Sequence, residues 1–170
     1  MQEGIITLVL VCMALYVVVR PIIKGAIYFP TSEDNVRRMI VLSEAKESSK
    51  VVDLGSGDGR ILIAYAEKGI AIDGYEINPL LVLYTHFLIK KRGLGKYARV
   101  YWKSLWRVNL SQYDVIIVYG IPYIMEALEQ KIQKEAKKEV RIISNMYTFP
   151  RLTRVQEEAG VRVYKNVVRG

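Results

Sequence analysis

A glycine-rich segment is the part of this 170-residue sequence best suited to binding a ligand. Residues 53–60 read DLGSGDGR and follow an apolar run that begins at Val51. Alternate glycines let the backbone turn tightly and approach a ligand closely, and a helix that begins after them offers N–H groups to a polar or anionic group. Dinucleotide-binding proteins have the spacing G-x-G-x-x-G, whereas Arg60 occupies the position of the third glycine here. Asp53 beside the turn favours instead a ligand that carries an ammonium group.

A second acidic residue is expected at the end of the next strand. Residues 74–78 read GYEIN and end the second predicted strand. A carboxylate can accept hydrogen bonds from both hydroxyls of a ribose, so Glu76 is predicted to bind a ribose diol; a charged surface residue is the alternative. The glycine motif and this acid resemble those of class I, seven-strand S-adenosylmethionine-dependent methyltransferases. The resemblance implies that the loop after the third predicted strand packs on an adenine, where Trp106 would stack and Ser104 would accept a hydrogen bond from the adenine amino group. A tryptophan in the core is the alternative for Trp106.

Alternating strand-like and helix-like patterns position these residues. Residues 152–158 fit either a short strand or one helical turn. Alternation of this kind predicts a doubly wound, mostly parallel α/β sheet with right-handed crossovers, whose strands share one carboxyl edge. Predicted strands lie at residues 51–54, 71–77, 99–103, 114–119, 140–146 and 161–168, and predicted helices at residues 31–45, 61–68, 78–92 and 122–138.

Residues 1–27 are predicted to form a membrane anchor ahead of a folded domain over residues 28–170. Residues 4–19 contain no charge, and Arg20 and Lys24 follow. About 20 apolar residues span a bilayer, and the two basic residues place the following domain in the cytoplasm by the positive-inside tendency. The expected localisation is therefore a membrane, with a single pass. A buried helix and a cleaved signal peptide are the alternatives, and the single cysteine, at position 12, is interpreted as an apolar residue of this segment.

The amino-acid composition limits which crosslinks, metal sites and binding partners the chain can have. One cysteine and one histidine exclude an internal disulfide and a zinc site built from clustered histidines and cysteines, so no metal site is predicted. The net charge is +8, and residues 90–107 contain no acid. Such a stretch suits an anionic membrane surface, nucleic acid or a solvated face; beside the predicted anchor the membrane is favoured, and nucleic acid is the weaker alternative. The basic residues of this stretch are Lys90, Lys91, Arg92, Lys96, Arg99, Lys103 and Arg107.

Three runs of the sequence resemble a known enzyme family. They read VVDLGSGDGRILIA, GYEINPLLV and SLWRVNLSQYDVIIVYGIPYIMEALEQKI. The glycine motif and the acid of the second run are similar to class I, seven-strand S-adenosylmethionine-dependent methyltransferases. All three runs together resemble the ATP synthase c-subunit lysine N-methyltransferases and related archaeal protein lysine methyltransferases. The resemblance covers most of the chain from Tyr28 onward and implies a Rossmann-like methyltransferase domain, with S-adenosylmethionine as the cofactor and a protein lysine as the methyl acceptor.

The resemblance also implies a set of cofactor-binding residues. Asp53 would face the ammonium of the methionine moiety, and the Y-x-P-T stretch that begins at Tyr28 is similar to a family motif that closes over the same end. One departure is Ser104, where the family usually has an aspartate, and this difference puts the affinity for the cofactor in question. The complete predicted set is Tyr28, Pro30, Thr31, Asp53, Gly55, Ser56, Gly57, Asp58, Gly59, Glu76, Ile77, Asn78, Ser104, Leu105 and Trp106.

The segment after the fourth predicted strand indicates the kind of methyl acceptor. Residues 119–123 read YGIPY and are similar to the family's F-G-x-P. The D/N-P-P-Y/F motif of enzymes that methylate amide or aromatic amino nitrogens is missing, which favours an aliphatic amine, whose free pKa of about 10.4 is then the main obstacle. Tyr119 and Tyr123 are predicted to orient the amine, with core aromatic residues as the alternative. No dedicated general base is predicted, and His86 is interpreted as structural.

The sequence therefore predicts a membrane-anchored S-adenosylmethionine-dependent protein lysine N-methyltransferase. The family and the anchor together make a membrane protein a candidate substrate. Two other classes stay open. One is a nucleic-acid or small-molecule methyltransferase; the basic net charge favours nucleic acid as a substrate. The other is a non-catalytic, cofactor-binding scaffold at a membrane.

Overall fold

Helices and strands alternate along the computed structural model, which describes residues 2–24, 30–120 and 122–168. The helices are α1 (Gln2–Lys24), α2 (Glu33–Ser43), α3 (Arg60–Ala66), α4 (Pro79–Lys91) and α5 (Pro122–Glu135). The strands are β1 (Lys50–Leu54), β2 (Ala71–Glu76), β3 (Ala98–Trp102), β4 (Val115–Val118), β5 (Arg141–Asn145), β6 (Leu152–Glu158) and β7 (Val161–Val168). Two short 3-10 helices, Leu105–Arg107 and Leu110–Gln112, connect β3 to β4.

The strands form one sheet in the order β3-β2-β1-β4-β5-β7-β6. β1 pairs in parallel with β2 on one side and with β4 on the other, and β5 continues the parallel part beside β4. β7 runs antiparallel to both β5 and β6. The strand order reverses at β1, and in open α/β sheets such a reversal places a ligand crevice at the carboxyl ends of the two strands involved. The predicted doubly wound, mostly parallel fold is confirmed.

The core consists of two layers, one on each face of the sheet. α2, α3 and α4 cover one face, where Met39, Leu62 and Ile117 are buried. α5 covers the other face, where Ile116 and Leu128 are buried. All four side chains of β4 are buried, as the apolar sequence VIIV predicts for a strand covered on both faces. The carboxyl edge of this central strand is therefore held by packing from both sides.

Capping residues set the starts of two helices. The Asn78 side chain accepts a hydrogen bond from the N–H of Leu80 at 3.0 Å and caps α4. At α2 the capping residue is Ser32 rather than Thr31, because Ser32 Oγ accepts a hydrogen bond from the N–H of Asn35 at 3.3 Å. The predicted helix start is thus displaced by one residue.

The ambiguous segment at residues 152–158 forms strand β6. It makes a hairpin with β7 through Ala159 and Gly160, whose φ angles are 47° and 82°. Two successive left-handed residues are the requirement of a type I′ turn, which matches the twist of two antiparallel strands. The pairing with β7, not a local pattern, therefore makes this segment a strand.

The predicted membrane anchor falls within α1. Over the part of the chain that the structure describes, no helix is both long enough and apolar enough to cross a bilayer. The structure therefore gives no support to the predicted transmembrane helix. Residues 25–27 of the predicted anchor lie outside the described residues, and a domain boundary at residue 28 stays a prediction.

Candidate active site

The glycine-rich loop joins β1 to α3 at the carboxyl edge of the sheet. Gly55, Gly57 and Gly59 have φ angles of 90°, 55° and 77°. Left-handed angles are costly for a residue with a Cβ atom, which explains glycine at each position. Space is limiting as well at Gly59, because a Cβ atom there would lie 2.3 Å from Cγ2 of Thr85 in α4. The loop is therefore packed closely against α4.

Several backbone N–H groups of the loop donate hydrogen bonds within the protein. Gly55 and Ser56 both donate to the carbonyl oxygen of Tyr75, at 2.9 and 3.1 Å, and Gly59 donates to the carbonyl oxygen of Ser56 at 3.0 Å. These three donors are therefore not available to a ligand. They instead hold the loop in one shape at the end of β2.

Asp53 is the least usual group of the site. Its side chain is 1% exposed, and neither carboxylate oxygen has a hydrogen-bond partner among the described residues. Burial, followed by the charges of Glu76 and Asp58, raises the pKa of Asp53 to about 8. A buried carboxylate without a partner is costly, and an adjacent cation restores its charged form. The site thus fits a ligand that carries an ammonium group, as the sequence predicts, and the buried Ser56 hydroxyl likewise has no described partner.

Glu76 ends β2 with its carboxylate held by backbone donors. Its Oε2 accepts a hydrogen bond from the N–H of Gly57 at 3.0 Å, and its Oε1 accepts from the N–H groups of Ile77 and Asn78, both at 2.8 Å. A carboxylate has about four lone-pair positions, so three backbone donors leave room for about one more. The predicted contact with both ribose hydroxyls would therefore displace one of these donors or share its position.

Asp58 and Arg60 connect the loop to the segment before α2. Arg60 Nη2 lies 2.7 Å from Asp58 Oδ2, and Arg60 Nη1 donates to the carbonyl oxygen of Thr31 at 2.7 Å. Thr31 is buried and Pro30 is exposed. The predicted cofactor residue Asp58 is thus in an ion pair that ties this segment to the glycine loop, and Tyr28 lies outside the described residues.

The loop after β3 forms a 3-10 turn over Leu105–Arg107. Ser104 Oγ accepts a hydrogen bond from the N–H of Trp106 at 3.4 Å and caps this turn. Leu105 is half-buried against the core, and Trp106 is 44% exposed. The alternative of a core tryptophan at position 106 is therefore wrong, and its indole is open to a ligand ring.

Trp102 is a candidate cofactor-binding residue that was not predicted from the sequence. It lies opposite Glu76 in the register of β2 and β3, and its Nε1 donates to the carbonyl oxygen of Ile77 at 3.0 Å. Its side chain is 66% exposed. A tryptophan at the last position of the strand beside the acidic residue was the signal that could have identified it.

In the described part of the structure, Tyr119 at the end of β4 makes no hydrogen bond or ring contact with Tyr123, with which it was predicted to orient the acceptor amine. The Tyr119 hydroxyl donates to Met146 Sδ at 2.9 Å, and the Tyr119 ring stacks on Tyr147 with centroids 6.4 Å apart. Burial and then Tyr147 raise the pKa of Tyr119. Tyr123 is 73% exposed on α5, and no hydrogen bond or ring contact among the described residues joins it to Tyr119. His86 is exposed on α4.

A family model described as the ANTKMT methyltransferase domain matches residues 53–156. The ATP synthase c-subunit lysine N-methyltransferase of Xenopus laevis is 37% identical over 81% of this chain, which spans 63% of the length of that relative. A protein-lysine N-methyltransferase of Saccharolobus islandicus (strain REY15A) is 31% identical over 71% of this chain and 76% of its own length. The resemblance found in the sequence is confirmed by these matches.

The fold also has a counterpart among solved structures. The crystal structure of an RNA methyltransferase from Salinibacter ruber in complex with S-adenosyl-L-homocysteine has a TM-score of 0.70 and 28% identity. The match covers 80% of this chain and 91% of the Salinibacter ruber chain. The glycine loop and Glu76 lie within the matched family segment, which spans most of the sheet. This chain belongs to the ANTKMT methyltransferase domain family.

Proposed function

We propose that this chain is an S-adenosylmethionine-dependent protein lysine N-methyltransferase. The observation that carries the proposal is the buried Asp53 carboxyl at the end of β1, where the strand order reverses, since it has no hydrogen-bond partner in the described part of the chain. Asp53 would bind the ammonium of the cofactor's methionine moiety, and Glu76 would bind a ribose hydroxyl. The family match and the lysine methyltransferases among the relatives support the same cofactor and acceptor.

The acceptor amine must be neutral and correctly placed for this reaction. S-adenosylmethionine, when bound, would supply a methyl group on a positively charged sulfur; the lysine nitrogen would form the new bond to that methyl carbon, and the electron pair of the broken carbon–sulfur bond would stay on sulfur. A lysine amine has a free pKa of about 10.4, and a partly apolar surface lowers it. Tyr119, half-buried at the end of β4, has a ring and a hydroxyl that would orient the amine. The product ammonium then loses its proton to solvent, so no dedicated base is required.

RNA is the second candidate substrate. Its support is the RNA methyltransferase among the similar solved structures and the basic stretch at residues 90–107. Residues 119–123 argue for lysine instead, because they carry no acid or amide side chain that would activate a base amino group. The two substrates are separated by the location of transferred label, in protein or in RNA.

A membrane surface is the proposed place of action, on its cytoplasmic side, with a membrane protein as the substrate. α4 exposes Leu80, Leu83, Tyr84 and Phe87, which share one helix face because they are spaced by three, four and seven residues. α1 contacts α4 and exposes several apolar side chains of its own. Apolar helix faces beside basic residues such as those of residues 90–107 are typical of proteins that bind anionic membrane interfaces.

Labelled-methyl transfer tests the catalytic proposal. The purified chain is incubated with S-adenosylmethionine labelled in its methyl group and with membrane, soluble-protein and RNA fractions. We expect label on lysine of a protein, and loss of label together with loss of S-adenosylhomocysteine binding in Asp53→Asn and Glu76→Gln. Glu33→Gln is the matched control, because Glu33 has a side chain that is 89% exposed on α2. Label on RNA alone would contradict the lysine acceptor, and unchanged binding in both site variants would contradict the site.

Vesicle flotation tests the membrane proposal separately. The chain should float with vesicles of phosphatidylcholine and phosphatidylglycerol, but not with phosphatidylcholine alone, and salt should weaken the binding. The double variant Leu83→Ser/Phe87→Ser should stay in solution. Val41→Ser is the control, because Val41 is 73% exposed on α2. Equal flotation of the double variant and the unmodified chain would contradict the role of this α4 face.

A further inference from the structure

The turn after β5 holds a residue in a costly backbone conformation. Met146 has a φ angle of 66°, in the left-handed region that methionine rarely adopts. Its N–H donates to the carbonyl oxygen of Gly160 at 3.1 Å, and its own carbonyl oxygen accepts from Arg162 Nη1 at 2.7 Å. Such conformations persist where the surroundings over-determine them, and they cluster at functional sites.

The next residue, Tyr147, is held equally firmly. Its N–H donates to the carbonyl oxygen of Asn145 at 2.9 Å, and its carbonyl oxygen accepts from Ser144 Oγ at 2.6 Å. Tyr147 is half-buried and packs against the core layer beneath α5. The main chain of this turn is therefore fixed, and so is the direction in which its two side chains leave it.

Both side chains meet Tyr119 of the neighbouring strand end. β4 and β5 are parallel neighbours, with Val118 opposite Ser144, so the turn lies beside the proposed methyl-transfer edge. The Tyr147 ring stacks on the Tyr119 ring at an interplanar angle of 24°, and Met146 Sδ accepts a hydrogen bond from the Tyr119 hydroxyl.

We infer that Tyr119, Met146 and Tyr147 form a cation-binding wall for the side chain of the methyl acceptor, with Met146 and Tyr147 as positioning residues. This inference rests on the proposed lysine acceptor. Stacked tyrosine rings attract an ammonium or methylammonium group through their faces. Because a thioether can only accept, Met146 Sδ accepts a hydrogen bond from the Tyr119 hydroxyl, and the phenolic oxygen stays free to accept a hydrogen bond from the amine N–H. That hydrogen bond turns the amine lone pair away from Tyr119.

A soluble quaternary ammonium compound tests the wall without requiring turnover. Choline is the probe, and 3,3-dimethyl-1-butanol is its neutral counterpart of the same shape, with binding followed by tyrosine chemical shifts. Choline should bind the unmodified chain more tightly than the neutral compound. Tyr147→Leu should weaken choline binding about fivefold or more, whereas Tyr147→Phe, which keeps the ring, should preserve it. Tyr97→Leu is the control for loss of another half-buried tyrosine.

Transfer kinetics test the positioning role of Met146. Met146→Leu keeps the volume of the side chain but removes the sulfur that accepts the Tyr119 hydrogen bond. The rate of methyl transfer at a saturating concentration of the lysine substrate should therefore fall, while S-adenosylhomocysteine binding stays unchanged.

Equal binding of choline and the neutral compound, or full choline binding by Tyr147→Leu, would contradict the proposed cation-binding wall. Choline binding by a chain that transfers no label to protein would instead contradict the proposed function and leave the cation site standing.

Discussion

The carboxylate of Glu76 accepts a hydrogen bond from the backbone N–H of Gly57 at 3.0 Å, across the gap between two strand ends. This bond joins the end of β2 to the loop that follows β1. The glycine-rich loop and Glu76, the candidate ribose-binding residue, are therefore linked, and a substitution in either should alter the position of the other.

The free energy of unfolding should fall as pH rises because of Asp53. Its pKa is about 8 in the folded chain, against an ordinary value of 3.8. Between these values the folded state binds more protons than the unfolded state, so this contribution is complete below the unfolded pKa and is lost as pH rises towards 8. The expected slope is on the order of 1 kcal/mol per pH unit. Urea unfolding at several pH values measures it.

Asp53→Asn provides the comparison for this pH dependence. An amide does not titrate, so the variant should lose the part of the slope that Asp53 contributes. Asp34→Asn, with a side chain that is 68% exposed, should keep the slope of the unmodified chain. Parallel pH profiles for the unmodified chain and Asp53→Asn would show that Asp53 is ionised when buried.

Gly59→Ala should destabilise the fold by about 2–4 kcal/mol, because two costs combine. The left-handed φ of 77° is unfavourable for alanine, and the new Cβ atom would lie 2.3 Å from Thr85 Cγ2. Gly55→Ala separates the two costs, since its φ is 90° but no atom lies within 4 Å of the added Cβ. It should cost about 1–2 kcal/mol in the same urea experiment. A larger loss at Gly55 than at Gly59 would be inconsistent with the close contact.

Trp102 should contact the adenine ring of the cofactor. Replacing it by leucine should weaken S-adenosylhomocysteine binding about tenfold, because base–aromatic stacking contributes about 1–3 kcal/mol. The chain has two tryptophans, so Trp106→Leu leaves Trp102 as the single indole reporter. Calorimetry measures the affinity, and quenching of the remaining fluorescence in Trp106→Leu reports the contact. An unquenched Trp102 signal at saturation would count against this assignment.

Glu129→Gln should lower stability by about 1–3 kcal/mol. The Glu129 side chain is 2% exposed, and its Oε2 accepts from the N–H groups of Arg151 and Leu152 at 2.9 and 3.3 Å. These bonds hold the start of β6 against α5, and an amide NH₂ in place of that oxygen would face two donors. Glu126→Gln on the same helix is the control, since its 63% exposed side chain makes a surface ion pair that should contribute at most about 1 kcal/mol. Thermal or urea unfolding distinguishes the two.

Features that depend on residues close together in the chain could be predicted from the sequence. The glycine loop, the Asn78 cap and the buried strand VIIV each depend on neighbours a few positions away, because φ limits, capping bonds and apolar runs are local. Asp53 and Glu76 were also identified in this way, since both follow from the ends of predicted strands. The family match required no more than the motifs within residues 53–156.

Other features arise from residues that are far apart in the sequence. Met146 is left-handed because Gly160 and Arg162 hold its main chain, and it reaches Tyr119 because β4 and β5 are neighbours. Residues 152–158 are a strand because β7 offers an antiparallel edge.

The sequence by itself determined the family, the fold class and the acids and glycines of the candidate cofactor site, because these depend on local spacing. Only the tertiary structure decided which loop N–H groups are already bonded, that Trp102 lies beside Glu76, and that Tyr119 meets Tyr147 rather than Tyr123. Hydrogen bonds and ring contacts across strands depend on strand order and register, which no window of consecutive residues contains.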